Sequence, residues 1–246
     1  MAKSIAISGK GGTGKTTLAA LMVRVLLGKP SGAVLAVDAD ANSCLGEMLG
    51  VKAEGTIAEL REEVLKQKGA AAGGASKLDA FEMGCEQVLL EAKGFDLLAM
   101  GRPEGPGCYC AVNNLLRSFL DKMDRTYGYI VTDNEAGMEH LSRRTTNKVD
   151  LLAVVSEPTK IGIVTTRRIV ELVRSLPITI KEVGIIWNRT DKIPDVNVDG
   201  IGVLGCVPYD ESVFDIAVQG KTVFDLKTDS TALAAVEEIL QRKFGV

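Results

Sequence analysis

Apolar runs of strand length recur along the chain, each followed by a stretch in which apolar residues return every three or four positions. Residues 4–8, 33–37, 95–100, 129–132, 151–155, 183–187 and 201–204 read as strands. Most are apolar at successive rather than alternate positions, as expected of strands buried on both faces of a parallel sheet. Residues 16–27, 57–68, 111–123, 161–174 and 232–244 carry helical spacing. Strands alternating with helices predict an α/β fold, a single domain with a mostly parallel central sheet of about seven or eight strands flanked by helices. One low-complexity patch, residues 69–76, follows the charged helix 57–68 and reads as a surface loop rather than a domain boundary.

The turn after the first strand carries the densest chemistry. Gly9-Lys10-Gly11-Gly12-Thr13-Gly14-Lys15-Thr16 fits the phosphate-binding pattern GxxxxGK[ST]. Backbone N–H groups of Gly11, Gly12, Thr13 and Gly14 can close around phosphates where no side chain intervenes. Lys15 reaches the β/γ-phosphates, Thr16 offers a hydroxyl to Mg²⁺, and Thr17 continues the helix whose N-terminus faces the anion. Strand, loop and helix stand in the order that a P-loop NTPase needs. A glycine-rich strand–helix turn without function would leave Lys15 and Thr16 unexplained.

Three further strand ends carry polar residues where ligands bind in parallel sheets. Strand 33–37 runs into Asp38-Ala39-Asp40-Ala41-Asn42; both aspartates also suit capping of a helix starting near residue 43. Strand 129–132 ends in Asp133, the arrangement in which a carboxylate holds Mg²⁺ through water. Gly137, just beyond, is free to bring its N–H to a γ-phosphate. Strand 183–187 ends in Asn188-Arg189-Thr190-Asp191, where Asn188 is expected to read the base. This run is close to the guanine-reading NKxD with arginine for lysine, so ATP and GTP both remain open at this point.

Composition sets the class. The 246 residues are 46% hydrophobic and 25% charged with a net charge of −3, which suits a soluble domain with a large core. Mild acidity without a basic stripe argues against nucleic acid as a partner. There is no leader pattern and no apolar run long enough to span a bilayer, so no membrane role is expected. Five irregularly spaced cysteines make no disulfide framework, and a reducing cytoplasm is the expected location. Two of them, Cys108 and Cys110, sit in a glycine- and proline-rich loop. Thiolates at that spacing share a soft or borderline metal, and a symmetric dimer would supply four. Cys44, Cys85 and Cys206 read as structural, as does the single histidine, His140.

The loop KGGTGKT, with its additional Lys10, resembles the deviant Walker A loop of the family that includes nitrogenase iron protein, septum-site and partition ATPases and metallochaperone ATPases. That resemblance implies a homodimer in which Lys10 acts in trans on the partner's nucleotide, much as an arginine finger does. It implies that Asp40 orients the attacking water and that Asp38 stands near the Mg²⁺ water shell. It also implies base contacts from Asn188, Arg189 and a proline turn, here Pro208 and Tyr209 within Val207-Pro208-Tyr209-Asp210, and it selects ATP/ADP over GTP. Within the family, the GxGCYC loop and EAGMEHLSR look like the nickel ATPases of the CooC/AcsF type, over essentially the whole chain. The resemblance implies that Cys108 and Cys110 bind nickel(II) between protomers, with zinc an alternative at the same thiolates. It further implies ATP-driven delivery to a client nickel enzyme, carbon monoxide dehydrogenase or acetyl-CoA synthase.

Two other classes compete. A positioning or partition ATPase would act on DNA, membrane or a protein partner, but the C-terminal helix carries only Arg242 and Lys243 against Glu237 and Glu238. An electron-transfer ATPase would want a cluster-ligating cysteine in each switch, and the second is missing, although ligand count alone allows an iron–sulfur cluster at the C-x-C pair.

Overall fold

The computed structural model describes residues 1–30, 32–40, 42, 44–66, 77–101, 118–135, 148–176 and 178–246. Eight strands form one sheet in the order β3-β4-β2-β5-β1-β6-β7-β8. They are β1 (Lys3–Gly9), β2 (Val34–Ala39), β3 (Leu90–Glu91), β4 (Phe95–Ala99), β5 (Tyr129–Asn134), β6 (Lys148–Ser156), β7 (Thr179–Asn188) and β8 (Gly202–Val207). Every adjacent pair is parallel except the short β3, which runs antiparallel to β4. The helices among the described residues include α1 (Lys15–Leu27), α2 (Leu45–Met48), α3 (Ile57–Lys66), α4 (Lys77–Val88), α5 (Lys160–Ser175), α6 (Glu211–Val218) and α7 (Thr231–Phe244). Residues 118–123 are also helical.

Successive side chains of a strand point to opposite faces, and here both faces are covered. Ile5 and Ile7 of β1 join Val34, Ala36, Tyr129 and Val131 against α1 and α7. Ala6, one position out of phase, packs with Leu152 and Val154 against Ile169 and Val173 of α5. Leu35, Val37 and Leu98 pack on that second face with Phe81, Cys85 and Phe119. This explains the near-continuous apolar runs. It also explains α1, buried at most positions from Leu18 to Leu26 because sheet and α7 enclose it.

Several helix boundaries have a local cause. Thr159 caps α5 by accepting from the Gly162 N–H, Ser230 caps α7 by accepting from the Leu233 N–H, and Gly245 ends α7 in the left-handed conformation. Lys3 closes the fold by donating to the Phe244 carbonyl at 2.8 Å while lying over the Tyr129 and Phe244 rings.

All the predicted strands are present. β6 and β7 begin earlier than their apolar runs, at Lys148 and Thr179. The polar start of β7 is tolerated because it is exposed, with Lys181 paired to Asp150 and Glu182 to Lys243. β3 is a two-residue strand without a pattern of its own, and α6 was not anticipated. The loop 69–76, Cys108, Cys110, Gly137, His140 and most of the helix expected over 111–123 lie outside the described residues.

Candidate functional site

β5 and β6 flank β1: the chain builds β2 to β5 on one side of β1 and then crosses to build β6 to β8 on the other. The C-terminal ends of these strands therefore form the switch-point crevice in which α/β sheets bind ligands. The Gly9–Thr16 loop lies there. Gly9 has φ 155° and packs so closely that a Cβ would stand 2.3 Å from the Val155 carbonyl oxygen. Gly14 has φ 87°, and a Cβ there would meet Asn188 Nδ2 at 2.5 Å. These positions need glycine both for conformation and for close approach.

The loop is held by its own backbone. The Lys10 carbonyl accepts from Thr13 Oγ1 at 2.8 Å, from the Thr13 N–H at 3.4 Å and from Lys15 Nζ at 3.5 Å. Lys15 and Thr13 are buried, while Lys10 is exposed. A cavity of about 450 Å³ opens above the α1 N-terminus, lined by Gly11, Gly12, Gly14, Lys15, Thr16, Thr17, Asp40, Asn42, Glu135 and Arg189. Helix N-terminus, loop amides and lysine make it an anion site.

Asp38 and Asp133 are register partners on adjacent parallel strands and share the face that carries α1. Both are 1% exposed. Burial pushes the Asp38 carboxyl up to about 6, against the N–H groups of Leu45 and Asp40 that it caps. Asp38 thus does the capping foreseen for it, on α2, while lying opposite Asp133 on the adjacent strand. Burial likewise raises Asp133 to about 6, countered in part by the Thr16 hydroxyl and Lys15, with the Asp38 charge adding to the rise. Neither Asp133 oxygen has a hydrogen-bond partner of good geometry among the described residues. A buried carboxylate with spare lone pairs, beside a threonine hydroxyl and a second carboxylate, is a hard oxygen donor set that fits Mg²⁺. Among the described residues no group of three or more His, Cys, Asp or Glu side chains is placed to hold a metal ion by itself.

Asp40 bends back locally: its Oδ1 accepts from the Asn42 N–H and Nδ2, both at 2.9 Å. Cys44 is exposed at the start of α2, with its thiol pKa raised by partial burial and by Asp38.

A second cavity of about 230 Å³ adjoins the first and shares Gly14, Thr17 and Arg189 with it. Asn188, Pro208 and Tyr209 line it, together with Leu18, Val213 and Phe214. Asn188 Nδ2 donates to the Thr13 carbonyl at 2.7 Å and so ties the end of β7 to the phosphate loop. Arg189 sits at φ 57° and pairs with Glu157 at 2.6 Å. Asp191, the fourth residue of the NRTD run, is exposed and does not line the cavity.

The structure therefore brings together Lys15, Thr16, Thr17, Asp40, Asn188, Arg189, Pro208 and Tyr209 around two contiguous cavities, with Asp38 and Asp133 paired and buried at the neighbouring strand ends. Sequence reasoning gave no role to Asn42 and Glu135, which line the first cavity, or to the Arg189 partner Glu157, and it placed Asp210, which lines the second cavity, only as the end of the proline turn. The capping role of Asp210 had its own signal, an Asp followed two residues later by Ser at a helix start.

Comparison with known proteins points the same way. Residues 4–223 match the family model described as CobQ/CobB/MinD/ParA nucleotide binding domain. An uncharacterized ATP-binding protein of Methanocaldococcus jannaschii is 38% identical over 246 residues, covering 97% of each chain. The carbon monoxide dehydrogenase accessory protein CooC of Rhodospirillum rubrum is 31% identical over 90% of this chain and 89% of its own length. Among solved structures, the septum site-determining protein MinD complexed with Mg-ADP from Pyrococcus horikoshii superposes with a TM-score of 0.69 at 22% identity, covering 98% and 96% of the two chains.

Proposed function

The chain belongs to the CobQ/CobB/MinD/ParA nucleotide-binding family, and from that premise we propose that it is a dimeric, Mg-dependent ATPase that carries nickel to carbon monoxide dehydrogenase or acetyl-CoA synthase. The observation that carries the nickel assignment is the C-x-C pair, Cys108 and Cys110, in the sequence that follows β4 of an ATP-binding chain that resembles CooC over nine-tenths of its length. Two thiolates per protomer suit a borderline cation, and a two-fold axis completes four ligands.

In this reading the amides of Gly11–Gly14 and Lys15 hold the β- and γ-phosphates, and Asn188 with the Pro208-Tyr209 turn receives adenine. Thr16 and Asp133 would hold Mg²⁺, with Asp38 beside them; when bound, the ion neutralises phosphate charge. Asp40 orients the attacking water, and Gly137 offers its N–H to the γ-phosphate. Lys10, exposed at the rim of the loop, reaches the partner's nucleotide and stabilises charge on the transferring phosphoryl group. Hydrolysis therefore requires two protomers, and the nickel thiolates on the dimer axis respond to nucleotide state.

A positioning or partition ATPase is the second reading, favoured by the MinD and ParA folds among the structural neighbours. The end of α7 gives it little to bind with, because Arg242 pairs with Glu238 and Lys243 with Glu182. No helix among the described residues is long and apolar enough to cross a membrane.

The test is transfer. Nickel-loaded protein with Mg-ATP is added to nickel-free client enzyme, and client activity is followed. The proposal expects activation by the wild type and little by Lys10→Ala. Equal activation by free nickel and by both proteins would overturn it.

A further inference from the structure

The turn that walls the base cavity is clamped at both ends. On one side the Val207 carbonyl accepts from the Thr190 N–H at 3.1 Å. On the other stands Asp210, whose carboxylate is the hub of two helix starts. Oδ1 accepts from the Ser212 N–H at 3.0 Å and Ser212 Oγ at 2.5 Å. Oδ2 accepts from Ser230 Oγ at 2.7 Å, from the Ala232 N–H at 3.1 Å and from Thr231 Oγ1 at 3.2 Å. Asp210 is thus the cap of α6 and, through Ser230, Thr231 and Ala232, also grips the first turn of α7. Partial burial would raise its pKa, but these donors outweigh it and hold the carboxyl well below the ordinary range.

An ionised carboxylate has about four lone-pair sites, and five donors consume them. Asp210 lines the base cavity yet has nothing left to accept from a ligand. Guanine presents N1–H and N2–H donors on the edge where adenine presents an acceptor, and a site reads guanine with an acceptor held at that edge. The other candidate acceptor, Asp191, does not line the cavity.

We propose that Asp210 is the positioning residue for nucleotide choice: it fixes the Pro208-Tyr209 turn against α6 and α7, and by being saturated it leaves the pocket, as lined by the described residues, without a free carboxylate for guanine. The inference rests on the nucleotide reading of the site and is independent of nickel. It also makes base affinity depend on α7, whose far end is held by Lys3.

The experiment is calorimetric titration of nickel-free protein with ADP and with GDP, alongside thermal melts without nucleotide. Wild type is expected to prefer ADP. Asp210→Asn presents two N–H donors to neighbours that are themselves donors, so the turn loosens. ADP affinity is expected to fall about tenfold or more and the ADP/GDP ratio to narrow. In ATP turnover KM rises more than kcat falls. Ser230→Ala, which removes one donor of five, gives a loss of a few-fold. A folded Asp210→Asn that binds ADP within about twofold of wild type, with an unchanged ADP/GDP ratio, would overturn the proposal. If that variant does not fold, Ser230→Ala/Thr231→Ala decides: weakened ADP with a narrowed ratio supports it, and unaltered binding overturns it. Wild type that binds neither nucleotide would refute the nucleotide reading itself, a result distinguishable from either.

Discussion

Asp133→Asn is expected to make the nucleotide-free protein more stable while abolishing its activity. The wild-type side chain is 1% exposed, lies at the register position of the equally buried Asp38, and has its pKa raised from 3.8 to about 6. About two pKa units at 1.36 kcal/mol each make about 3 kcal/mol, the cost of keeping this carboxylate ionised in the folded state at neutral pH. Asparagine is nearly isosteric, keeps an acceptor for Thr16 and removes the charge. Its added N–H donors return part of the gain, so a rise of roughly 5–10 °C in Tm is expected for a chain of this length. The sign follows from linkage. Below about pH 4 the carboxyl is protonated in both the folded and unfolded states and costs nothing. As pH rises toward and through about 6, the folded state holds its proton longer than the unfolded state, and wild-type stability falls. The variant should therefore gain at pH 7.5 and gain almost nothing near pH 4. Thermal or urea unfolding in EDTA at the two pH values reads this directly, and ATP turnover in Mg²⁺ should be lost. A variant less stable than wild type at pH 7.5, or one stabilised equally at both pH values, would refute the reasoning.

Two other outcomes follow from the loop. Gly14→Ala forces a side chain into φ 87° and places its Cβ 2.5 Å from Asn188 Nδ2. Left-handed strain of about 1–2 kcal/mol and a disturbed Asn188–Thr13 bond of about 1 kcal/mol should lower Tm by several degrees and abolish ATP binding; a variant that melts and titrates like wild type would contradict this geometry. Lys10→Ala leaves the Lys10 carbonyl, and so the loop, in place. It should bind ATP within a few-fold of wild type yet lose at least about tenfold in turnover, and retained turnover would remove the trans lysine from the mechanism.

The parts of the molecule that could be read from the sequence are those in which local pattern and burial agree. β1, β2, β4 and β5 are apolar on successive positions because helices cover both faces, and their ends carry the site residues as a direct result of parallel pairing. The start of β7 escaped notice because its charges are satisfied by partners distant in the chain, Lys181 with Asp150 and Glu182 with Lys243. β3 is two residues long and exists only because β4 offers an edge. At the site, Lys15 and Thr16 were legible from spacing alone. The double use of Asp38, capping α2 while lying opposite Asp133, was open to the sequence, because a carboxylate at a strand end can cap the next helix and still stand at the site. Likewise, whether Asp191 or Asp210 faces the base depends on how β7 and β8 end in space. Nothing in the run NRTD settles that.

The central claim is that two thiolates per protomer carry nickel under nucleotide control. The most direct measurement is nickel bound per protomer by purified metal-free protein, without nucleotide and with ADP or ATP, while mass in solution is followed, for wild type and Cys108→Ala/Cys110→Ala. The account predicts one nickel per dimer, lost in the double variant and altered by nucleotide. Metal binding that is absent under every nucleotide condition, or that survives in the double variant, would contradict it and leave a dimeric switch ATPase whose partner is not a metal.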